Sequence, residues 1–405
     1  MTIVADERVA VRGRRLTRPV AFAAIAAIFV TFAAASAAPS PLYVVYQHLW
    51  GFSPTTLTVV FAVYVLGLIG ALLVLGALSD HIGRRPVLAA AIALEATSLI
   101  LFLSAGDVTV LLVARLLQGI ATGAAMTTLG AALVDLNPPH IPGRAGLING
   151  IAPVAGLAVG ALGCGALVQF APEPTHLIWA LLLGAMLLAG VVVARIPETS
   201  ARRPGAVASL SPRLGVPARL RADVLALVPI IVASWAIGGL YLSLGPSVAA
   251  GVFGLTNHLV GGLVVTLLCG TGAITSYAMR KVPTPRVLTR AGILLTVGSA
   301  VAVAGVEWSN VWVAAAGTVI SGIGFGASAL ATFGTLATLA APHERGELFA
   351  VALTISYTAF SVPAVVAGFS ATSFGLHPTT LVYGTVVAVL GAAAVVAQRL
   401  RRRSA

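Results

Sequence analysis

Residues 76–85 read Gly-Ala-Leu-Ser-Asp-His-Ile-Gly-Arg-Arg and fall between two long apolar runs. Only 9% of the chain is charged, yet Asp80, Arg84 and Arg85 crowd into six positions at the edge of a hydrophobic segment. An ionised side chain costs at least about 2.5–3.5 kcal/mol at the centre of a bilayer. Such a short, glycine-punctuated, charged segment therefore marks a membrane–water boundary where something specific is held.

The rest of the chain supplies the membrane. Hydrophobic residues make up 59% of its 405 positions and the mean hydropathy is +1.02, where soluble proteins run at about 45–50% apolar and 25% charged. Continuous apolar stretches of about 20 residues are candidate transmembrane helices. Helices satisfy every backbone N–H and C=O inside lipid, and the alternation that a membrane β-barrel needs is missing. The predicted spans are 19–41, 55–78, 86–105, 108–134, 146–170, 176–197, 223–248, 257–279, 287–306, 309–338, 347–371 and 378–398. The fold class is all-α membrane protein, with twelve transmembrane helices in two six-helix pseudo-symmetric halves.

A net charge of +12 raises the question of a nucleic-acid partner, and the distribution answers it. Of 24 Lys and Arg residues, only Arg115 lies well inside a span. The other basic residues fall in the two tails and in every second connection, including Arg84 and Arg85, Arg144, the 195–221 stretch, Arg280 to Arg290, and Arg345. The intervening loops carry none. This is the positive-inside pattern, which puts both termini in the cytoplasm. It predicts a multi-pass protein of the inner (plasma) membrane with the lipid bilayer as its partner and no nucleic acid. The bias to Ala, Gly, Val and Arg suggests a bacterial source. Cys164 and Cys269 both lie inside predicted spans and read as small buried hydrophobes. Gly13-Arg14-Arg15-Leu16 before Ala35-Ser36-Ala37 loosely mimics a twin-arginine signal. The apolar run there extends to about position 41, so an uncleaved first helix is expected.

The longest polar interruption, 198–222, divides six spans from six. The expected organisation is a tail at 1–18, a first half at 19–197, a cytoplasmic linker at 198–222, a second half at 223–398 and a tail at 399–405. Internal similarity supports it. Gln118-Gly119-Ile120-Ala121-Thr122-Gly123-Ala124, followed by Pro139-His140, recurs 203 residues later as Ser321-Gly322-Ile323-Gly324-Phe325-Gly326-Ala327, followed by Pro342-His343. Small residues at Gly67 and Gly70, and at Gly156, Gly160, Gly163 and Gly165, suit close helix approach, whether for sliding or for simple tight packing.

With these features in place, the segment 76–88 resembles the loop between helices two and three of the major facilitator superfamily of secondary transporters. Gly76, Asp80, Gly83, Arg84 and Arg85 all fit, the resemblance runs along nearly the whole chain, and it is strongest to bacterial drug/proton antiporter-type members. It implies a latch on the cytoplasmic face. Asp80 would face the positive N-terminus of the eleventh helix, Arg84 would pair with Asp80 and with Asp135 at the end of the fourth, and Gly76 would permit close helix contact. The alternative is a basic turn with solvated charges. The equivalent segment of the second half, Met279-Arg280-Lys281-Val282-Pro283, lacks the acid and the glycine pair, so a symmetric latch is not expected.

Arg115-Leu116-Leu117-Gln118-Gly119, with Gly123, is similar to the family's arginine-containing fourth-helix motif, which implies proton transfer. Arg115 reads either as functional or as snorkelling to the outer interface. Glu95 is the only carboxylate deep in a span. We expect Glu95 and Arg115 to pair, because desolvation and a neighbouring cation pull a carboxyl in opposite directions. Proton carriage and a purely structural ion pair both suit that arrangement. Gly150 to Gly156, with Pro153 after Ala152, is only partly like the exporters' fifth-helix motif, which has a Gly-Pro pair.

No nucleophile-base set, Walker loop or Cys/His metal spacing is present in the sequence, so an enzyme, a bound cofactor and a metal are not expected; protons are the expected coupling ion. His48, His176, His258 and His377 fall at outer loops, where they read as solvated or as sensors of external pH. The resemblance points to helices one, two, four, five, seven, eight, ten and eleven as cavity helices. Their polar and aromatic candidates are Tyr64, Gln118, Asn149, Ser234, Trp235, Tyr241, Ser328, Ser356 and Tyr357, while Tyr43 and Tyr46 read as interfacial belt residues. The expected activity is proton-coupled efflux, by a monomer, of a small amphipathic neutral or cationic compound. The alternatives are a proton-coupled metabolite or sugar importer and, remotely, a non-transporting sensor.

Overall fold

The computed structural model describes residues 15–404 apart from Pro139, Pro142, Arg213, Ala340, Pro342 and His343. The tail residues Arg8, Arg12 and Arg14, the linker's Arg213, and Pro139 and Pro342-His343 at the ends of the repeat lie outside the described residues. The described chain is helical, and 12 of its segments are long and apolar enough to cross a membrane.

The first half comprises α1 (Arg18–Ala37), α2 (Pro39–Trp50), α3 (Pro54–Leu75), the short α4 (Leu78–Ile82), α5 (Arg84–Leu103), α6 (Val108–Leu136), α7 (Arg144–Phe170) and α8 (Leu177–Arg195). The second comprises α9 (Arg221–Ser243), α10 (Gly245–Gly251), α11 (His258–Ala278), α12 (Thr284–Glu307), α13 (Val311–Leu339), α14 (Arg345–Phe374) and α15 (Leu376–Ser404). α1 and α2 form one span, as α9 and α10 do, each broken near its outer third.

The first span therefore runs to Trp50, beyond the expected end at residue 41. Tyr43 and Tyr46 are consequently not belt residues: they are 1% and 2% exposed. Tyr46 stacks on Trp50 at 4.6 Å and accepts a hydrogen bond of 3.0 Å from the Trp179 indole. The break has a sequence cause. Pro39 and Pro41 have no N–H, so the carbonyls of Ala35 and Ala37 lose their helical partners.

The two halves are built alike at the register seen in the sequence. Asp107 caps α6 by accepting from Thr109 and Val110 N–H at 2.7 and 3.0 Å. Asn310, 203 residues on, accepts from Trp312 and Val313 N–H at 3.0 and 3.2 Å at the start of α13. A cap of this kind contributes about 1 kcal/mol. Gly119 and Gly123 of α6 press against the backbone of α3 at Tyr64 and Leu68, and Gly322 and Gly326 of α13 press against that of α11 at Leu268 and Gly272. The repeat is therefore a packing rule in which each half places its fourth helix directly on its second.

The halves meet at one end only. Thr55 at the start of α3 bonds Thr372 near the end of α14, hydroxyl to hydroxyl, at 2.8 Å. Gln169 of α7 accepts from His258 N–H at 2.9 Å, and Thr266 of α11 donates to the Ala158 carbonyl at 3.0 Å. Further in, Phe61 and Phe360 pack ring to ring at 5.0 Å. Among the described residues, the hydrogen bonds that join helices of the two halves all lie at the end away from the chain termini or near mid-depth. These contacts close the bundle at that end.

One pair of glycines separates contact from mere flexibility. A Cβ on Gly160 would run into the Ala34 backbone of α1, while one on Gly163 has nothing within 4 Å. Gly160→Ala is expected to lose about 1–3 kcal/mol through overpacking and to lower the apparent unfolding temperature in detergent, whereas Gly163→Ala should not. Equal behaviour of the two variants would show that the α1–α7 contact is not this close.

Candidate functional site

At the end that carries the termini, the motif of residues 76–85 is not a loop throughout. Residues 78–82 form α4, and Gly83 adopts φ +111°, a left-handed region that disfavours a Cβ. A Cβ there would also meet a Glu198 carboxylate oxygen at 2.6 Å. The turn delivers Arg84 and Arg85 to the start of α5.

Arg84 carries the pairings. Its Nη1 lies 2.5 Å from Asp80 Oδ1 and its Nε lies 3.2 Å from Asp135 Oδ2; Asp135 also accepts from Thr199 Oγ1 at 2.9 Å. Asp80 is half exposed. Its carbonyl accepts from Ser200 Oγ at 3.0 Å and Arg203 N–H at 3.3 Å. Among the described residues, the partners of Asp80 come from the first half and the linker. Gly76 ends α3, and its nearest neighbour from another helix is the Thr127 methyl, in ordinary contact at 3.9 Å from a notional Cβ.

The residue that sequence reasoning missed is Glu198. Its carboxylate accepts from the N–H groups of Arg84 (2.8 Å), Arg85 (3.1 Å), Thr199 (3.0 Å) and Ser200 (3.1 Å). Arg85 in return donates from Nε to the Val193 carbonyl at 3.2 Å and from Nη2 to that of Ala194. The end of α8 and the start of α5 thus exchange caps, an acid on orphan N–H groups and a cation on orphan carbonyls. A lone acid in the basic 195–221 stretch was the available signal. The second half has no counterpart in its equivalent segment: Arg280 folds back onto the carbonyl (2.6 Å) and ring (3.8 Å) of Tyr277.

The second constellation is buried in the first half. Glu95 of α5 is 0% exposed and Arg115 of α6 is 1% exposed. They do not form the expected direct pair. Gln118, one turn beyond Arg115, stands between them: its Nε2 donates to Glu95 Oε1 at 3.1 Å, and its Oε1 accepts from Arg115 Nη1 at 2.6 Å. The same two side chains satisfy the broken first span. Gln118 Nε2 donates to the Ala35 carbonyl at 3.1 Å and Arg115 Nη1 to the Ser36 carbonyl at 3.3 Å. The Arg115 guanidinium lies over the Tyr64 ring at 4.2 Å, a favourable cation–π placement. Arg115 therefore does not snorkel. Glu95 Oε2 is buried and has no hydrogen-bond partner.

An aromatic group faces this cluster from the other half. Trp235 of α9 packs edge-on against Tyr357 of α14 at 4.8 Å and against Phe360 at 5.9 Å. Phe360 in turn meets Phe61, one turn from Tyr64 on α3. Tyr64, Trp235 and Tyr357 thus gather near mid-depth where the halves meet, while Gln118 is buried inside the first half. The other candidates do not gather there either. Asn149 ties α7 to the Gly130 carbonyl at 3.2 Å. Ser328 donates to Ser234 at 2.5 Å inside the second half. Ser356 is buried in α14, and Tyr241 bonds Thr318 at 2.7 Å beside a separate cavity. Sequence could place these on cavity helices but not rotate the helices.

Comparisons with known proteins agree with this architecture. The family described as Major Facilitator Superfamily matches residues 20–362. The MFS-type transporter paaT of Penicillium rubens is 33% identical over 143 residues, which is 35% of this chain and 26% of that protein; the match thus spans about a quarter of that relative's length. A bacterial homologue of the human lysosomal transporter Spinster, solved inward-facing and unoccupied, has a TM-score of 0.76 at 14% identity, covering 96% of this chain and 98% of its own. The nucleoside transporter NupG gives 0.70 at 10% identity, and the human organic anion transporter MFSD10 gives 0.67 at 16%. Each covers 94% of this chain and 100% of its own. At these identities the likeness is one of fold.

The cap exchange has a pH signature. Burial pushes the Glu198 carboxyl up, but the four backbone N–H bonds outweigh it and hold the group below its ordinary range. A carboxyl depressed in the folded state stabilises above its unfolded pKa of about 4.3 and loses that contribution as pH falls through the folded value. The unfolding temperature of the wild type should exceed that of Glu198→Gln by a constant margin above about pH 5, and the margin should shrink below about pH 4. A margin independent of pH would rule out the ionised cap.

Proposed function

The chain belongs to the Major Facilitator Superfamily, and we propose that it is a secondary active transporter exporting a small amphipathic, neutral or cationic compound in exchange for protons. The observation that carries the transport reading is the one-ended contact between the halves: among the described residues, the hydrogen bonds that join their helices, such as Thr55–Thr372 and Gln169–His258, lie away from the end that carries the termini. Two rigid six-helix bodies that rock about a mid-depth site expose it alternately to either side. With both termini in the cytoplasm of a cell whose plasma membrane holds the protein, this conformation opens inward.

The mid-depth residues support the rest. Trp235, Tyr357 and Phe360 offer an aromatic wall that suits an apolar body and accommodates a cation. The spans of the second half bring no charge to that wall, which disfavours a strongly anionic cargo. On the facing side, Glu95 has one oxygen held by Gln118 and one without a partner. A proton on that free oxygen removes the charge to which Gln118 donates. Because Gln118 and Arg115 also hold the Ala35 and Ser36 carbonyls, protonation is transmitted to the break in the first span. Export rather than import is favoured by Pro153, Gly156 and Gly160 of α7, which partly match the exporter pattern.

In inside-out vesicles with an imposed pH gradient, an antiporter accumulates substrate and Glu95→Gln should reduce that uptake at least about a hundredfold while leaving gradient-free exchange intact. Full gradient-driven uptake by Glu95→Gln would remove the proton role, and substrate loss driven by the same gradient would indicate an importer. Rocking is tested separately at the closed end. In a background with Cys164→Ala and Cys269→Ala, joining Thr55→Cys to Thr372→Cys by oxidation should stop transport reversibly, with reductant restoring it. Undiminished transport in the cross-linked protein would refute opening at that end.

A further inference from the structure

The second half contains a pit between its helices. A cavity of about 380 Å³ lies between α9, α10, α11, α12, α13 and α15. It is separate from the mid-depth cluster between the halves. Its mouth is at the end away from the termini, where Trp312 stands 81% exposed. Its floor reaches Ser299, seven residues down α12 from Val306, or about 10 Å at 1.5 Å per residue. Ser299 is 2% exposed, lines the pit, and its hydroxyl has no hydrogen-bond partner.

The internal repeat explains why the space exists. At the 203-residue offset, Tyr46, Leu99, Leu112 and Arg115 of the first half become Ala249, Ala302, Ala315 and Thr318, and all four replacements line the pit. In the first half the same region is filled: Phe102 stacks on Trp179 at 4.2 Å, Trp179 donates to Tyr46, and the Arg115 guanidinium covers Tyr64. The second half has thus exchanged an aromatic and cationic plug for small side chains. Helices usually close around such a loss, because interiors pack to crystal-like density.

We propose that this pit is a second binding site, distinct from the transport pathway, for a free small molecule with an apolar body and a single hydroxyl. The walls are apolar except for the Tyr241–Thr318 hydroxyl pair, satisfied at 2.7 Å, Thr380, whose hydroxyl donates to the Leu376 carbonyl at 2.7 Å, and Ser299, which has no partner. A volume near 380 Å³ falls in the range of small-ligand pockets. A lipid acyl chain, entering tail first, would leave the Ser299 hydroxyl bare at the floor, so an entering hydroxyl fits the pit better.

The probe is para-bromophenol, whose bromine quenches tryptophan, added to the full-length protein in lipid nanodiscs. The signal of Trp312 is the difference between wild type and Trp312→Phe. Saturable quenching of that signal is expected. It should weaken about fivefold in Ser299→Ala through the lost hydrogen bond and disappear in Ala315→Leu and in Ala302→Leu, each of which restores the residue of the first half. Either filling variant suffices if the other fails to fold. A linear, unsaturable response overturns the proposal, as does saturation that both filling variants leave unchanged. Quenching of Trp312 by acyl-brominated lipid that both filling variants abolish would identify the pit as a lipid slot and overturn it equally.

Discussion

A carbonyl oxygen in the interior of a membrane protein has to be satisfied by the protein itself, and the two prolines at positions 39 and 41 deprive the first span of two of the N–H groups that would do so. The first half is arranged around that deficit. Gln118 reaches across from α6 to the Ala35 carbonyl that Pro39 leaves bare, and Arg115 to the neighbouring Ser36 carbonyl. Both side chains are thereby fixed in place, Tyr64 is pinned beneath the guanidinium, and Glu95 is brought into the same network through Gln118. The buried guanidinium is held by the two bonds of Nη1, to Gln118 and to the Ser36 carbonyl, and by the Tyr64 ring, while its Nε is left without a partner.

The charged turn near residue 80 works by the same rule at the surface. Helix ends carry orphan donors and acceptors, and the end of α8 and the start of α5 settle theirs mutually through Glu198 and Arg85. Arg84 adds Asp80 and Asp135. The result fixes α4, α5, α6 and α8 into one block, which any rocking motion moves as a unit.

Much of this was legible in the chain. Continuous apolar runs, the one-sided distribution of basic residues and the 203-residue repeat correspond to helices that the structure contains, because lipid imposes length and polarity directly on sequence. Arg115 and Glu95 stood out for the same reason: charge inside a span is expensive. What escaped was rotational and local. Sequence placed Tyr43 and Tyr46 at an interface because the proline break did not register as a break, and the span continues past it. It paired Glu95 with Arg115 directly because a glutamine carries no charge to mark it as a bridge. It passed over Glu198 because capping depends on where a neighbouring helix begins, which no local pattern encodes. Tyr241 and Ser328 sat on plausible helices but face the interior of their own half.

The linker also carries a mechanical consequence. Its first stretch is bound to the first half: Glu198, Thr199 and Ser200 at α5 and Asp135, and Arg203 and Pro204 at Asp80 and His81. The 3₁₀ turn Ala208–Leu210 still lies against that half. On the other side, Arg219 is fastened to Glu344 at the foot of α14. Gly215 already sits against Glu347 of α14, so of what looks like a long flexible connection only the stretch between Leu210 and Gly215 joins the two attachments. Fully drawn out, its five steps span about 17 Å at 3.3–3.6 Å each. The short contour between these attachments sets an upper limit on how far the two halves can separate at this end, a limit that lies in the connection rather than in any binding residue.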